Sequence, residues 1–268
     1  MRLARTSAVA AGAALAWGHF EAGWVRLETL ACPLPGLPPE LEGLRIAHLS
    51  DFHLGVPSRG AKALERAVAW VEERQPDLTL VCGDLLSRRS GEERLRRLLA
   101  RLPRCFAVLG NHDFALTRDP FSHPAALLDL EPATLLTDDA RTIELRGRRV
   151  QIVGIDPRSY RRRQARPVRF ADPDADLRIL LCHFPEIVDR IPPDVFRLVL
   201  AGHLHAGQIC LPWPGGRLRL AHIRWTYIRG LYRRPAATLH LSSGLGTTFV
   251  PFRFLARPEA TELVLERA

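Results

Sequence analysis

A chain of 268 residues, 47% apolar and 25% charged, has enough hydrophobic material for a sizeable core and is not disordered throughout. It carries a formal net charge of +9, and because Lys62 is the lone lysine, the positive charge is almost entirely arginine. No stretch reaches the roughly 18–20 uninterrupted apolar residues of a clear membrane span, so a multi-span transporter is excluded, as are collagen and coiled coil.

At the N-terminus, Arg2 and Arg5 precede a segment from Thr6 to Phe20 that lacks Asp, Glu, Lys and Arg, and Ala14-Leu15-Ala16 has the small-x-small form of a signal-peptidase site. Residues 1–22 therefore read as a membrane anchor or signal segment, with a frayed amphipathic start as the alternative. Residues 23–43 read as an extended lead-in strand and linker, because Pro33, Pro35, Gly36, Pro38, Pro39 and Gly43 break any helix there. The remaining residues, 44–268, form one domain.

The first half of that domain alternates strand and helix. Leu44–Leu49 is a short strand that runs into Ser50-Asp51. Ser58 precedes a helix over Arg59–Arg74, with Ala61, Leu64, Val68 and Val71 at helical spacing, and Pro76 ends it. Leu78–Cys82 is a strand stopping at Gly83-Asp84. Glu92–Arg101 is a second helix, and the strand Cys105–Leu109 stops at Gly110-Asn111-His112-Asp113. This order predicts an α/β fold with a largely parallel sheet and its site at the strand ends.

The second half shows few helical patterns. Arg141–Leu145 and Arg149–Gly154 read as a hairpin about Gly147, followed by strands at Leu177–Cys182, Arg197–Ala201, Gly207–Leu211, Thr238–Ser242 and Glu262–Leu265. A second, more antiparallel sheet packed face to face on the first is expected, with helices outside.

Charge and cysteine usage add to this. Ten arginines lie between Arg141 and Arg169 against Glu144 and Asp156, and six lie between His203 and Arg234 with no acid. Two basic segments on a mildly acidic body predict a surface for phosphate groups, lipid headgroups or nucleic acid, the plain alternative being solvated loops. Cys32, Cys82, Cys105, Cys182 and Cys210 are odd in number and include no C-x-x-C pair, so they are expected as buried free thiols.

Five short motifs remain: Asp51-Phe52-His53, Gly83-Asp84, Gly110-Asn111-His112-Asp113, His183, and Gly202-His203-Leu204-His205. Carboxylates, imidazoles and an amide oxygen together suit divalent first-row metals such as Mn, Fe or Zn. Seven candidate ligands exceed what one ion needs, and a shared carboxylate would let two ions sit about 3.5–4 Å apart.

This ordered set resembles the calcineurin-like metallophosphoesterases, over the chain from about Leu44 onward. The opening at Leu34-Pro35-Gly36-Leu37, the Ser50–Gly55 stretch and Ser243-Gly244-Leu245-Gly246-Thr247 resemble a bacterial branch. Members of that branch often begin with a membrane segment, and some hydrolyse UDP-2,3-diacylglucosamine, the lipid A precursor. The resemblance implies a four-layer sandwich and two metals. Asp51, His53 and His205 would hold the first, Asn111, His183 and His203 the second, and Asp84 would bridge them. It further implies in-line attack on phosphorus by a hydroxide held between the ions, with His112 protonating the leaving oxygen and Asp113 orienting its imidazole. The chain departs from many relatives after Gly83-Asp84, where Leu85, Leu86, Ser87, Arg88 and Arg89 stand in place of another acid.

The expected substrate is a phosphorylated small molecule or a lipid-linked one at an anionic membrane surface, with the cytoplasmic face favoured and nucleic acid not expected as a partner. A soluble phosphodiesterase or nuclease is the alternative within the enzymes, and a non-catalytic binder of membrane or nucleic acid the alternative outside them. His48 is expected as a buried, hydrogen-bonded side chain, and His19, His123, His222 and His240 as structural.

Overall fold

In the computed structural model residues 2–125, 127–221 and 225–268 are described, with side chains of the first helix described from Val9 onward; His222 lies outside the described residues. In chain order the elements are α1 (Arg2–Glu21), β1 (Arg26–Leu34), β2 (Arg45–Leu49), α2 (Gly60–Arg74), β3 (Leu78–Cys82), α3 (Glu92–Leu99), β4 (Cys105–Val108) and β5 (Thr134–Leu135). They continue as β6 (Asp139–Leu145), β7 (Arg148–Gly154), α4 (Pro157–Arg161), β8 (Leu177–Leu181), β9 (Leu198–Ala201), β10 (Cys210–Trp213), β11 (Gly216–Arg219), β12 (Gly230–Arg233), β13 (Thr238–Leu241) and β14 (Glu259–Arg267).

Two six-stranded sheets form the middle of the molecule, in the orders β1-β14-β2-β3-β4-β5 and β12-β13-β9-β8-β7-β6. Every residue of β3 is buried, as a parallel strand covered on both faces requires. One face of the first sheet takes Ala63, Leu64, Ala67, Val68 and Val71 of α2 and Leu95, Leu98 and Leu99 of α3. The other face meets the second sheet through an inter-sheet core that includes Leu34, Ile46, Leu80, Val108, Ile152, Ile179, Leu198 and Leu263. A further core, with Tyr160, Phe184, Phe196 and Tyr227, covers the outside of the second sheet. The architecture is the expected α/β sandwich of two mixed sheets with flanking helices.

Three details refine the expectation. The second sheet is antiparallel only at its edges, for β13, β9, β8 and β7 all run parallel. The β7–β8 and β8–β9 crossovers hold only the five-residue α4 and 3-10 turns at Pro167–Phe170 and Pro185–Asp189, which leave no helical periodicity to read. The strand expected at Gly207–Leu211 begins at Cys210, because His205–Gly207 forms a 3-10 turn. The lead-in segment is an edge strand of the first sheet, where β1 pairs with β14 over nine residues. All five cysteines are free and buried.

Candidate metal centre

The side chains of the five motifs leave the C-terminal ends of β2, β3, β4, β8 and β9, and the packing of the two sheets brings those ends together. The turns are tight. Asp51, His53, Asp84, His203 and His205 all hold positive φ, between 48° and 80°, a conformation costing a non-glycine residue of order 1–3 kcal/mol. A Cβ at Gly110 would overlap Asp84 Oδ1, so only glycine lets the β4 loop pass this carboxylate.

Two clusters of donor atoms result, each with its atoms within 4.8 Å of one another: Asp51, His53, Asp84 and His205, and Asp84, His183 and His203. Asp84 belongs to both. Its Oδ2 lies 3.2 Å from His183 Nε2 and 3.6 Å from His53 Nε2. His53 Nε2 and His205 Nε2 are 3.1 Å apart, His205 Nε2 is 3.4 Å from Asp51 Oδ1, and His203 Nδ1 is 3.2 Å from His183 Nε2. Asn111 Oδ1, also in this loop, is buried without a hydrogen-bond partner. An orphaned acceptor is costly unless something fills it. Oxygen and imidazole donors converging around one shared carboxylate fit divalent first-row ions.

Neighbouring groups orient the donors. His183 Nδ1 donates to Cys82 O at 2.9 Å, and His53 Nδ1 pairs with Ser87 Oγ at 3.0 Å. Asp51 accepts from Ser50 Oγ and from His203 N, and Asp84 Oδ1 accepts from His112 N at 2.8 Å. Burial opposes ionisation of Asp51 and Asp84. Even so, the imidazoles of His205 beside Asp51 and of His183 and His112 beside Asp84 hold both well below the usual carboxylate range. At His183 burial is outweighed by the Asp84 and Asp51 carboxylates, which raise the imidazole to about 9, and the same field attracts a cation.

His112 lies on the wall of a cavity of about 490 Å³ that opens over Asp84, Asn111, His203 and His205, with Arg118, Arg161, Thr248 and Phe249 around it. Its Nδ1 pairs with Ser122 Oγ at 3.0 Å and lies 3.9 Å from Asp119 Oδ2, while Nε2 is 4.0 Å from Asp84 Oδ2. Burial depresses its pKa, with Asp84 pulling the other way.

Here the structure corrects the expectation for Asp113. Its carboxylate accepts from the backbone N–H groups of Gly110, Leu86 and Leu85, so it laces the β3 and β4 loops together while Ser122 meets the His112 ring. Burial and the Asp84 charge raise Asp113 to about 7.

Sequence reading missed three residues. Asp119 Oδ2 accepts from Thr248 Oγ1 and Phe249 N, which ties the cavity rim to His112. Ser122 has no motif to announce it. Arg253 is fully buried and donates to the carbonyls of Ser243, Gly244, Gly246 and Ala256, with its Nη2 3.2 Å from His205 Nδ1. Its only signal is a lone cation in the apolar run from Phe249 to Leu255. His48 meets His240 across the sheets, Nδ1 to Nδ1 at 2.7 Å.

The first basic segment divides. Arg158 is held by Asp156 and stacks on Phe114, Arg161 reaches the cavity, and Arg163, Arg166 and Arg169 line a separate groove with Arg190.

Residues 44–207 match the family described as calcineurin-like phosphoesterase. The chain is 28% identical to uncharacterized metallophosphoesterase YkoQ of Bacillus subtilis, over 88% of this chain and 89% of that one. It is 33% identical to a transmembrane protein with metallophosphoesterase domain of Danio rerio, over 88% of this chain but only 56% of the relative. It is also 27% identical to UDP-2,3-diacylglucosamine pyrophosphatase LpxG of Chlamydia trachomatis, over 96% and 94% of the two chains. With the family matched along more than half its length and its donor residues gathered at one set of strand ends, the chain belongs to the calcineurin-like phosphoesterases and is a hydrolase.

Proposed function

We propose that the enzyme hydrolyses a phosphodiester or pyrophosphate bond in a lipid-linked, membrane-associated substrate such as UDP-2,3-diacylglucosamine. The observation that carries the reading is the pair of donor clusters sharing Asp84 beneath a cavity walled by His112, Arg118 and Arg161. The likeness to LpxG along nearly the whole of both chains supports the substrate class.

In this reading Asp51, His53 and His205 hold one divalent ion, Asn111, His183 and His203 a second, and Asp84 both, with Mn, Fe and Zn the candidates. When bound, such a pair lowers the pKa of water toward neutrality and offsets the charge growing on phosphorus. The protein's own part is to position and to move a proton. Arg118 and Arg161 on the cavity wall grip the non-reacting phosphoryl oxygens or a second phosphate. His112, tethered at Nδ1 by Ser122, presents Nε2 to the cavity and delivers a proton to the leaving oxygen. Asp119 keeps Thr248 and Phe249 at the rim.

The test is metal-stripped protein reconstituted with Mn, Fe or Zn and assayed for UMP release from the lipid precursor, beside cyclic nucleotides and a chromogenic aryl phosphodiester. Asp84→Asn serves as the dead control. Lipid turnover restored by metal and absent from Asp84→Asn supports the reading. Turnover confined to nucleotides replaces the lipid with the soluble alternative, and failure to bind any metal overturns the chemistry.

A further inference from the structure

The large apolar side chains that remain exposed are not scattered. Most of them lie on three segments: α1 with the turn after it, the β10–β11 hairpin with Leu220, and the strap from Phe249 to Leu255. Val9 is 72% exposed and Trp213, beside the hairpin turn, 62%. From Val9 to Trp17 every residue of α1 is exposed, and of these Trp17 turns back onto the Trp24 ring.

The three segments form one face, with the strap at its centre. Arg253 N donates to Gly18 O at 3.0 Å, Ala256 N donates to Glu21 Oε1 at 2.8 Å, and Cys210 N donates to Phe254 O at 2.9 Å. Arg217 reaches from the hairpin to Leu255 O. A contiguous apolar surface of this kind marks an interaction site.

Charge narrows the partner. The only acid on the three segments is Glu21, which is buried and capped by Ala256 N and Trp17 Nε1. Around them stand cations: Arg257 lies 3.8 Å over the Trp24 ring, Arg59 lies 5.9 Å over Phe20, and Arg217 and Arg219 sit on the hairpin. Tryptophan and arginine around an apolar patch match the headgroup layer of an anionic bilayer, where an amphipathic ring has one wet and one apolar side. Among the described residues no helix is long and apolar enough to cross a membrane.

We propose that this face docks the enzyme monotopically on an anionic phospholipid bilayer, with α1 lying in the interface and Trp213 and the strap dipping beside it. The inference rests on the lipid-substrate reading only for its purpose. Phe249 and Thr248 line both the catalytic cavity and an adjoining slot of about 190 Å³ walled by Val56, Pro57, Phe121, Val250 and Pro251. The docked face therefore ends at the cavity mouth, where a lipid could enter from the side without leaving the bilayer.

The test is co-sedimentation of the full, metal-loaded chain with phosphatidylcholine vesicles, with and without phosphatidylglycerol. Trp213→Glu/Leu218→Glu and Val9→Glu/Leu15→Glu are run beside wild type, and aryl phosphodiester turnover is measured without vesicles. The wild type should bind the anionic vesicles, and each double variant should bind at least about tenfold more weakly with soluble turnover unchanged, since two buried side chains are lost from the contact. Wild type remaining in the supernatant, or variants binding equally well, would overturn the proposal. So would a self-associating wild type that ignores vesicles, because the occupant would then be a second copy. Vesicle binding without any phosphodiester turnover would uphold this surface while sinking the hydrolytic reading, so the two failures are separable.

Discussion

Arg253 offers the sharpest test of how the centre is held. Its guanidinium is fully buried and its partners are backbone carbonyls of the β13–β14 connection, at 2.9 Å for Ser243, 3.1 Å for Gly244, 2.7 Å for Gly246 and 2.8 Å for Ala256. Burial lowers its pKa to about 10, so it is still a cation at neutral pH. Arg253→Met fills most of the volume but strips these carbonyls of their donor. Breaking a buried charged network of this kind costs about 3–5 kcal/mol. For a chain of this size each kcal/mol shifts Tm by about 2–4 °C, so melting should fall by roughly 6–20 °C. Because Nη1 also donates to His205 O at 3.5 Å, losing it loosens the backbone that carries this side chain, and metal affinity should weaken about 10–100-fold. Circular-dichroism melting of the stripped protein and metal titration of the folded variant read the two effects separately. A Tm within about 2 °C of wild type would refute the account of Arg253 as the donor that holds this connection.

Four further outcomes are expected. His112→Ala should keep its metal content while turnover falls about 10²–10⁴-fold, as for loss of a general acid, and loss of metal would refute the assignment. Ser122→Ala, which frees Nδ1 of that ring, should lower kcat with metal content and KM little changed, measured by steady-state kinetics. Gly110→Ala should displace Asp84 and bring bound metal below two per chain by elemental analysis. The buried pair His48 and His240 should make the fold acid-sensitive. Burial lowers His240 to about 3 from 6.5, so the unfolded chain binds more protons between those values, and stability present above pH 6.5 is lost as pH falls toward 3. The slope is up to about 1.4 kcal/mol per pH unit. Urea midpoints at pH 7 and 5 should converge in His48→Leu/His240→Leu, and an equally steep variant would refute this.

The difference between local and distant contacts explains what could be read from the sequence. The strands and helices of the first half announce themselves because each is fixed by its own periodicity and ended by its own Gly or Pro, and β3 and α2 fall within a residue of expectation. The donors announce themselves because each directly follows a strand and needs a backbone conformation that constrains its neighbours, as Gly110 does beneath Asp84. The parallel centre of the second sheet was not foreseen because the β7–β8 and β8–β9 crossovers hold only short helical turns, and strand direction is a property of the connection rather than of the strand.

The errors around the centre share one cause. Asp113 adjoins His112 in the chain, so adjacency suggested that it orients the ring. Yet successive residues in a tight turn point apart, and Asp113 turns back to the amides of Leu85, Leu86 and Gly110. The ring is met instead by Ser122, ten residues on, with Asp119 nearby, and Asp119 in turn clasps Thr248 and Phe249, about 130 residues away in the chain. Donor positions are thus written locally, while the groups that aim them come from loops brought near only by the packing of two sheets. The strap that carries Thr248, Phe249 and Arg253 therefore has three attachments: to the His112 wall, to His205 and to α1. A change in how α1 sits would reach the catalytic rim through this one segment. Restraining α1 on a surface should accordingly alter KM for a bulky lipid more than for a small aryl diester.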